Sequence, residues 1–203
     1  MDNQNLLYQP MLSSWPLTSY SLSSCPGVEE IFVPESVTTL PSNAFQYDAN
    51  LRRVHLSPNV TSMDTYCFSY CLNLEEVTLP SGITIITARA FEQCFKLRSV
   101  NIPSGVTTIN NYAFNNCVSL LNVTIPSTVT SIGNGVFNGT YTTVTMESTT
   151  PPTIGTYCFD TSTGRNRIFV PWSSDHSVLE AYKTATNWSS YASIIFESPE
   201  PTA

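Results

Sequence analysis

Residues 90–109 read AFEQCFKLRSVNIPSGVTTI, and residues 113–132 read AFNNCVSLLNVTIPSTVTSI, so the two stretches align with an offset of 23 residues. The same offset continues as a column of phenylalanines at Phe45, Phe68, Phe91, Phe114, Phe137 and Phe159, where only the last step is 22 residues. Leu22 stands one further step before Phe45, so we count seven units. Self-similarity at a period of about 20–50 residues is typical of stacked repeat architectures.

Each unit contains two apolar residues that are separated by one other residue and are followed, in most units, by proline. This alternation predicts a short strand with two inward side chains, and proline ends the strand because it lacks an N–H donor. The inward pairs are Ile31 and Val33, Val54 and Leu56, Val77 and Leu79, Val100 and Ile102, Val123 and Ile125, Val144 and Met146, and Ile168 and Val170.

The rest of each unit, with the pattern I-x-x-x-A-F, predicts a turn or a short helical loop. A single unit cannot bury its own apolar side chains, so the units must stack. The predicted fold is a repeat solenoid. It is a right-handed, leucine-rich-repeat-like stack of short parallel strands, about 4.8 Å apart, with turns or short helical loops on the opposite side.

The spacing L-x-x-V-x-I-P-x-x-V-x-x-I resembles that of leucine-rich repeats, and the unit with A-F-x-x-C resembles their BspA-like subfamily. The match is carried by Ala90, Phe91, Cys94, Leu97, Val100, Ile102, Pro103, Val106, Ile109 and their equivalents in the other units. It covers about residues 22–171. Members of this subfamily are mostly bacterial or protist surface proteins linked to adhesion, so the resemblance implies a scaffold that carries a binding surface.

Three segments follow from the extent of the repeat. Residues 1–21 are predicted to cap the first unit, residues 22–171 to form the seven repeats, and residues 172–203 to form a C-terminal cap with a short helix and a tail. Caps are required because the end units of a solenoid expose core. Ser177 followed by Glu180 fits a capping box at the start of that helix.

The composition excludes several classes of function. Only 11% of the 203 residues are charged, the net charge is −7, and 26 Ser and 26 Thr supply the polarity. An acidic chain lacks the basic surface that nucleic acids require. No apolar run approaches the ~20 residues needed to insert into a membrane.

The start of the chain lacks the basic residues and continuous apolar core of a signal peptide. A cytosolic protein and a piece of a longer secreted chain both fit that observation. The composition favours an extracellular or cell-surface location, with the signal peptide removed or outside this sequence.

The repeat accounts for the six cysteines. Cys25, Cys71, Cys94 and Cys117 occupy the third position after the phenylalanine or its equivalent, and Cys67 and Cys158 the position just before it. Free cysteine is among the most buried residue types, so this pattern predicts buried thiols. One disulfide between stacked positions stays open as an alternative. A zinc site is disfavoured because the cysteines follow a line rather than converge.

The outward positions of the strands form two columns of polar and aromatic residues, which we interpret as the candidate binding face. The residues assigned to it are Glu30, Phe32, Arg53, His55, Glu76, Thr78, Asn101, Asn122, Thr124 and Phe169. At the strand starts, Glu29, Arg52, Glu75 and Arg98 alternate in sign. Such alternation also fits a self-neutralised charge ladder, because neighbouring opposite charges stabilise a sheet.

The sequence gives little support for a catalytic site. Glu30 and Glu76 are spaced like the carboxyl pair of an inverting glycosidase, but Arg53 lies between them and is expected to hold both ionised. Ser173, Ser174, Asp175 and His176 are contiguous, whereas a catalytic triad is defined by geometry. We therefore predict no catalytic residues, no metal site, no cofactor and no enzymatic activity.

Two functions remain. The first is a non-enzymatic surface or secreted adhesion module, a monomer, that recognises a protein or glycan, including one from a host, through the strand face. The second is a structural spacer or display stalk of a larger surface protein, with no ligand on this segment.

Overall fold

The computed structural model describes residues 28–162 and 164–200 of the chain. Leu22, Cys25 and the predicted cap over residues 1–21 lie outside the described residues. The elements in chain order are the strands β1 (Glu30–Phe32), β2 (Thr39–Leu40), β3 (Arg53–His55), β4 (Ser62–Met63), β5 (Glu76–Thr78), β6 (Ile85–Ile86), β7 (Ser99–Asn101), β8 (Thr108–Ile109), β9 (Asn122–Ile125), β10 (Ser131–Ile132), β11 (Thr143–Met146), β12 (Thr153–Ile154) and β13 (Arg167–Val170), the helix α1 (Ser177–Thr184), a 3₁₀ helix (Trp188–Ile194) and β14 (Ile195–Glu197). The chain is a parallel-strand solenoid, as predicted.

One wall of the solenoid consists of the odd-numbered strands and β14. These form two four-stranded parallel sheets, in the order β1-β3-β5-β7 and β9-β11-β13-β14. The 23-residue period sets the register, so that Val54 lies beside Ile31 and Val77 beside Val54. The stacked units predict a parallel neighbour for each strand, and β7 and β9 lie beside each other in this wall. No ladder joins β7 to β9.

The opposite wall, which we call the turn wall, consists of turns and of the two-residue strands β2, β4, β6, β8, β10 and β12. These strands pair in parallel as β2-β4 and β6-β8-β10-β12. The predicted turns are confirmed, and the described repeats contain no helical loop on this side. The short strands were missed because two residues are too few for an alternating pattern to be recognised.

The phenylalanine column fills the space between the two walls. Phe45, Phe68, Phe91, Phe114 and Phe137 are fully buried. Successive rings from Phe45 to Phe159 are parallel to within 9°, with centroids 5.0 to 5.7 Å apart. Each ring from Phe68 to Phe137 therefore contacts the ring of the unit before and of the unit after, as the period predicts.

A column of hydrogen bonds runs beside the rings. The thiol of Cys71 donates to the carbonyl of Phe45 at 2.9 Å, and Cys94 and Cys117 donate in the same way to Phe68 and Phe91 at 3.1 Å. In the next unit the hydroxyl of Thr140 donates to Phe114 at 2.8 Å. In these four units the third position after the phenylalanine carries a small donor that ties one unit to the preceding one.

The five cysteines of the described chain are free and buried, as predicted. Burial raises the pKa of Cys67 and of Cys158 to about 12, and raises those of Cys71, Cys94 and Cys117 well above their usual value. A raised pKa leaves little thiolate at neutral pH, so these thiols are poor nucleophiles.

The residues after the last repeat cover the C-terminal end of the phenylalanine column. The ring of Tyr191 packs edge-on against Phe159 at 5.2 Å, and Trp188 lies 6.0 Å from the same ring. The indole N–H of Trp188 donates to the carbonyl of Pro152, which satisfies its polar group. β14 then adds to β13 as one more parallel strand.

The predicted helix is present, but its predicted capping box is wrong. His176, in the left-handed conformation, is the N-cap residue, and it makes no side-chain capping bond. Ser177 is already helical, and its N–H is bound by the carboxylate of Asp175. The hydroxyl of Ser173 accepts the N–H of Val178, so it takes the role predicted for Ser177.

We predict that Phe91→Ala destabilises the protein more than Phe159→Ala does. Truncation of a buried phenylalanine typically costs about 3–5 kcal/mol, and Phe91 stacks on a ring on each side. Phe159 has a ring of the repeat on one side only, and the cap can move into the space that its truncation leaves. Urea unfolding of both variants measures the difference. A cost below about 1 kcal/mol for Phe91→Ala, as at ordinary surface sites, would show that the rings are not the core.

Candidate functional site

We call the outward-pointing residues of β1, β3, β5, β7, β9, β11 and β13 the strand face. The structure places all ten sequence-predicted site residues on it. One column contains Glu30, Arg53, Glu76 and Asn122, and the adjacent column contains Phe32, His55, Thr78, Asn101, Thr124 and Phe169. The interruption between β7 and β9 divides this surface into two halves.

The N-terminal end of the strand face is occupied by a cluster whose members bind each other. The guanidinium of Arg53 donates to the carboxylate of Glu30 at 3.0 Å, and a ring nitrogen of His55 lies 2.8 Å from the same oxygen. The rings of Phe32 and His55 stack with centroids 4.3 Å apart. Hydrogen bonds from Arg53 and then His55 lower the pKa of Glu30 to about 2.

The charge ladder at the strand starts is confirmed. Arg52 lies 3.6 Å from Glu29 and 2.6 Å from Glu75, and Arg98 lies 3.5 Å from Glu75. The hydrogen bond from Arg52 lowers the pKa of Glu75. The next residue in this column, Leu121, is 61% exposed. The alternating charges therefore neutralise each other and end where the sheet is interrupted.

The expectation that Arg53 holds both Glu30 and Glu76 is wrong for Glu76. Arg53 pairs with Glu30, and among the described residues the carboxylate of Glu76 makes no ion pair or side-chain hydrogen bond. A glycosidase still requires one carboxyl group that is protonated near neutral pH. Glu30, with a pKa of about 2, does not supply that proton.

Asn101 lies on the last strand of the first sheet, and its side chain bonds to the backbone just after β5, which the sequence did not predict. Its side-chain amide accepts the N–H of Leu79 at 2.9 Å and donates to the carbonyl of Leu79 at 3.1 Å. The side chain of Asn101 thereby acts as an extra peptide group for β5. Its hydrogen-bonding groups are turned toward β5 and away from β9.

A cleft of about 380 Å³ lies at the interruption between β7 and β9. Three predicted site residues, Asn101, Asn122 and Thr124, line it together. Ser104 and Glu147 also line the cleft and were not predicted. Both follow the ends of strands, so the alternation that identified the other residues does not reach them.

The C-terminal end of the strand face has two aromatic rings. Phe196 in β14 lies beside Phe169 in β13, with ring centroids 6.0 Å apart, and the guanidinium of Arg167 lies 5.6 Å from the Phe196 ring. Phe196 was assigned to the cap by sequence. Its alternation with Ile195, like that of Phe169 with Ile168, is the signal that identifies an additional strand.

The Ser173–His176 segment does not form a nucleophile and base. Glu197 lies between the two residues, with one carboxylate oxygen 3.3 Å from the Ser173 hydroxyl and the other 2.5 Å from Nδ1 of His176. A nucleophilic serine requires a hydrogen bond to its base, and here the carboxylate binds both side chains separately. The arrangement instead fixes the start of α1 to β14.

The chain resembles known repeat proteins over most of its length. The model of the BspA type leucine rich repeat region matches in six copies, over residues 16–143 and 84–196. No curated protein matches the chain.

None of the helices in the described residues is long and apolar enough to cross a membrane.

Several solved structures are similar. A leucine rich cell surface protein of Faecalibacterium prausnitzii A2-165 is 28% identical, with a TM-score of 0.51, over 62% of this chain and 40% of its own. The leucine rich repeat protein of T. pallidum is 20% identical, with a TM-score of 0.51, over 68% of this chain and 80% of its own. The pneumococcal vaccine antigen PcpA is 18% identical, with a TM-score of 0.58, over 75% of this chain and 38% of its own. The last two likenesses concern the fold alone.

We predict that the Glu30 carboxyl group titrates near pH 2, well below its usual 4.5, because Arg53 and His55 bind the ionised form. A depressed pKa makes the ionised cluster stabilising above about pH 4 and removes this contribution as the pH falls toward 2. Carbon-13 NMR of the carboxyl group measures the midpoint. Arg53→Met is expected to raise the midpoint, whereas the control Arg98→Met leaves it unchanged. A midpoint near 4.5 in the unmodified protein would contradict the cluster.

Proposed function

Because the chain belongs to the BspA-type leucine-rich repeat family, we propose that it is a non-enzymatic surface or secreted module that binds a protein or glycan through its strand face. A leucine rich cell surface protein is among its structural neighbours, which supports an extracellular or cell-surface location. The match spans 40% of that protein's length.

We choose the strand face because the two walls differ in how their polar side chains are hydrogen-bonded. On the turn wall, four threonine hydroxyls are bonded to backbone carbonyls one unit away. The donors are the hydroxyls of Thr61, Thr107, Thr130 and Thr153, and the acceptors are the carbonyls of Thr38, Thr84, Thr107 and Thr130 respectively, at 3.2 to 3.5 Å. These hydroxyls are therefore already engaged within the protein.

The strand face keeps some of its polar groups available outside the Glu30–Arg53–His55 cluster. In the described part of the chain, the side chains of Glu76, Thr78, Asn122 and Thr124 make no hydrogen bond to protein. Glu76 and Thr78 lie on β5, and Asn122 and Thr124 lie on β9, with β7 between the two strands. The folded backbone that presents these groups does not have to be ordered on binding, which favours recognition by this surface.

The absence of a catalytic role is also a proposal. It is supported by the low pKa of Glu30 and by the separation of Ser173 from His176, described above. The charge ladder Glu29–Arg52–Glu75–Arg98 favours the second candidate, a structural spacer, because its charges bind each other rather than a ligand.

We propose that the protein acts as a monomer in either role.

We predict that arginines on the strand face abolish partner binding and that matched arginines on the turn wall do not. The protein is first screened against a glycan array and a panel of extracellular proteins. The double variant Thr78→Arg and Thr124→Arg is then compared with Thr84→Arg and Thr107→Arg. We expect at least a tenfold loss of affinity in the first and less than twofold in the second, with circular dichroism unchanged. Equal effects would place binding elsewhere, and no partner in either screen would favour the spacer.

A further inference from the structure

The cleft between β7 and β9 has an apolar floor. Val100 and Ile102 are 8% and 9% exposed there, whereas Val77 and Leu79, their equivalents in the preceding unit, are each 2% exposed. Pro126 lines the far side. Val100 and Ile102 are therefore slightly more accessible than the equivalent pair of the preceding unit, at the place where the ladder between β7 and β9 is missing.

The rim of the cleft is polar and its groups have no partner. Among the described residues, the side chains of Ser104, Asn122, Thr124 and Glu147 form no hydrogen bond or ion pair with the protein. Glu147 is the charged residue among those that line the cleft, and neither lysine nor arginine lines it. An unpaired carboxylate beside amide and hydroxyl oxygens is a set of acceptors suited to a cation.

The surroundings strengthen this preference for positive charge. The protein carries a net charge of −7, which attracts basic partners over distances of about 10 Å or less at physiological salt. The nearest arginine of the ladder, Arg98, is paired with Glu75. No aromatic ring lines the cleft, so a sugar ring would find no flat apolar surface there on which to stack.

We propose that this cleft holds a lysine or arginine side chain of a protein partner, an inference that rests on the proposed function. The aliphatic stem of the basic side chain packs along Val100, Ile102 and Pro126, because long basic side chains bury their stems while the charged group stays at a polar rim. The cationic group then donates to the carboxylate of Glu147 and to the side-chain oxygens of Asn122 and Thr124. A volume of about 380 Å³ accommodates one such side chain.

The test uses capped tripeptides Gly-Lys-Gly and Gly-Arg-Gly, with Gly-norleucine-Gly as the uncharged analogue and lactose as the saccharide probe. Proton–nitrogen NMR of the full chain follows the amides of Val100, Ile102 and Asn122 during titration. We expect the basic peptides to bind with a Kd of about 1–10 mM. Binding should weaken at least threefold in 0.5 M salt, and the norleucine peptide should bind at least tenfold more weakly.

Glu147→Gln keeps the shape of the side chain and removes its charge, and it is expected to weaken the basic peptides at least fivefold. Glu180→Gln, the matched control on the exposed side of α1 outside the strand face, should change binding less than twofold. Equal effects of the two variants, equal binding of the norleucine peptide, shifts produced by lactose at these amides, or the absence of any shift would each overturn the proposal. If a partner from the screens depends on Thr78 and Thr124 but not on Glu147, the cation site is wrong and the proposed function stands.

Discussion

Six of the seven units contain a column phenylalanine that is buried only when the neighbouring units stack on it. The rings of Phe68, Phe91 and Phe114 are parallel, with centroids 5.3 and 5.4 Å apart, and each is fully buried. That separation is close to the ~4.8 Å spacing of strands in a sheet, so rings and strands advance together. Stability in such a structure comes from contacts between nearest neighbours rather than from any unit alone.

Because rings and strands advance by the same distance in each unit, the repeat also determines how residues are arranged on the surfaces. Residues at equivalent positions form columns, so each side chain lies beside the equivalent side chains of the neighbouring units. Alternating charges in one column, Glu29, Arg52, Glu75 and Arg98, bind each other. The thiols of Cys71, Cys94 and Cys117 bind carbonyls of the preceding unit. A surface made in this way is largely satisfied by itself, and a ligand is best accommodated where the repetition fails.

The features that depend on the period could be predicted from the sequence. The ring column, the inward pairs of the strands and the charge ladder all follow from residues 23 positions apart. The cap was predicted by composition, but its N-cap residue was not, because the left-handed conformation of His176 replaces the expected role of Ser177. The two-residue strands of the turn wall were missed because they are too short to show a pattern.

The placement of the candidate residues on one face could be predicted from the sequence, but the contacts among them could not. All ten residues lie on one face because alternation fixes which side chains point outward. The pairing of Arg53 with Glu30 and not Glu76 depends on side-chain geometry, which a repeat pattern does not specify. The cleft lies where the ladder between β7 and β9 is missing, and there the side chain of Asn101 makes two hydrogen bonds to the backbone of Leu79. Neither has a signal in the sequence.

A double-mutant cycle on the phenylalanine column tests the stacking most directly. Phe91→Leu and Phe114→Leu, singly and together, are compared with Phe68→Leu and Phe137→Leu, which lie three units apart. The account predicts a coupling energy of about 0.5–1.5 kcal/mol for the adjacent pair, and additivity within about 0.5 kcal/mol for the distant pair. Additive behaviour of the adjacent pair would contradict the claim that each unit is held by the ring of its neighbour.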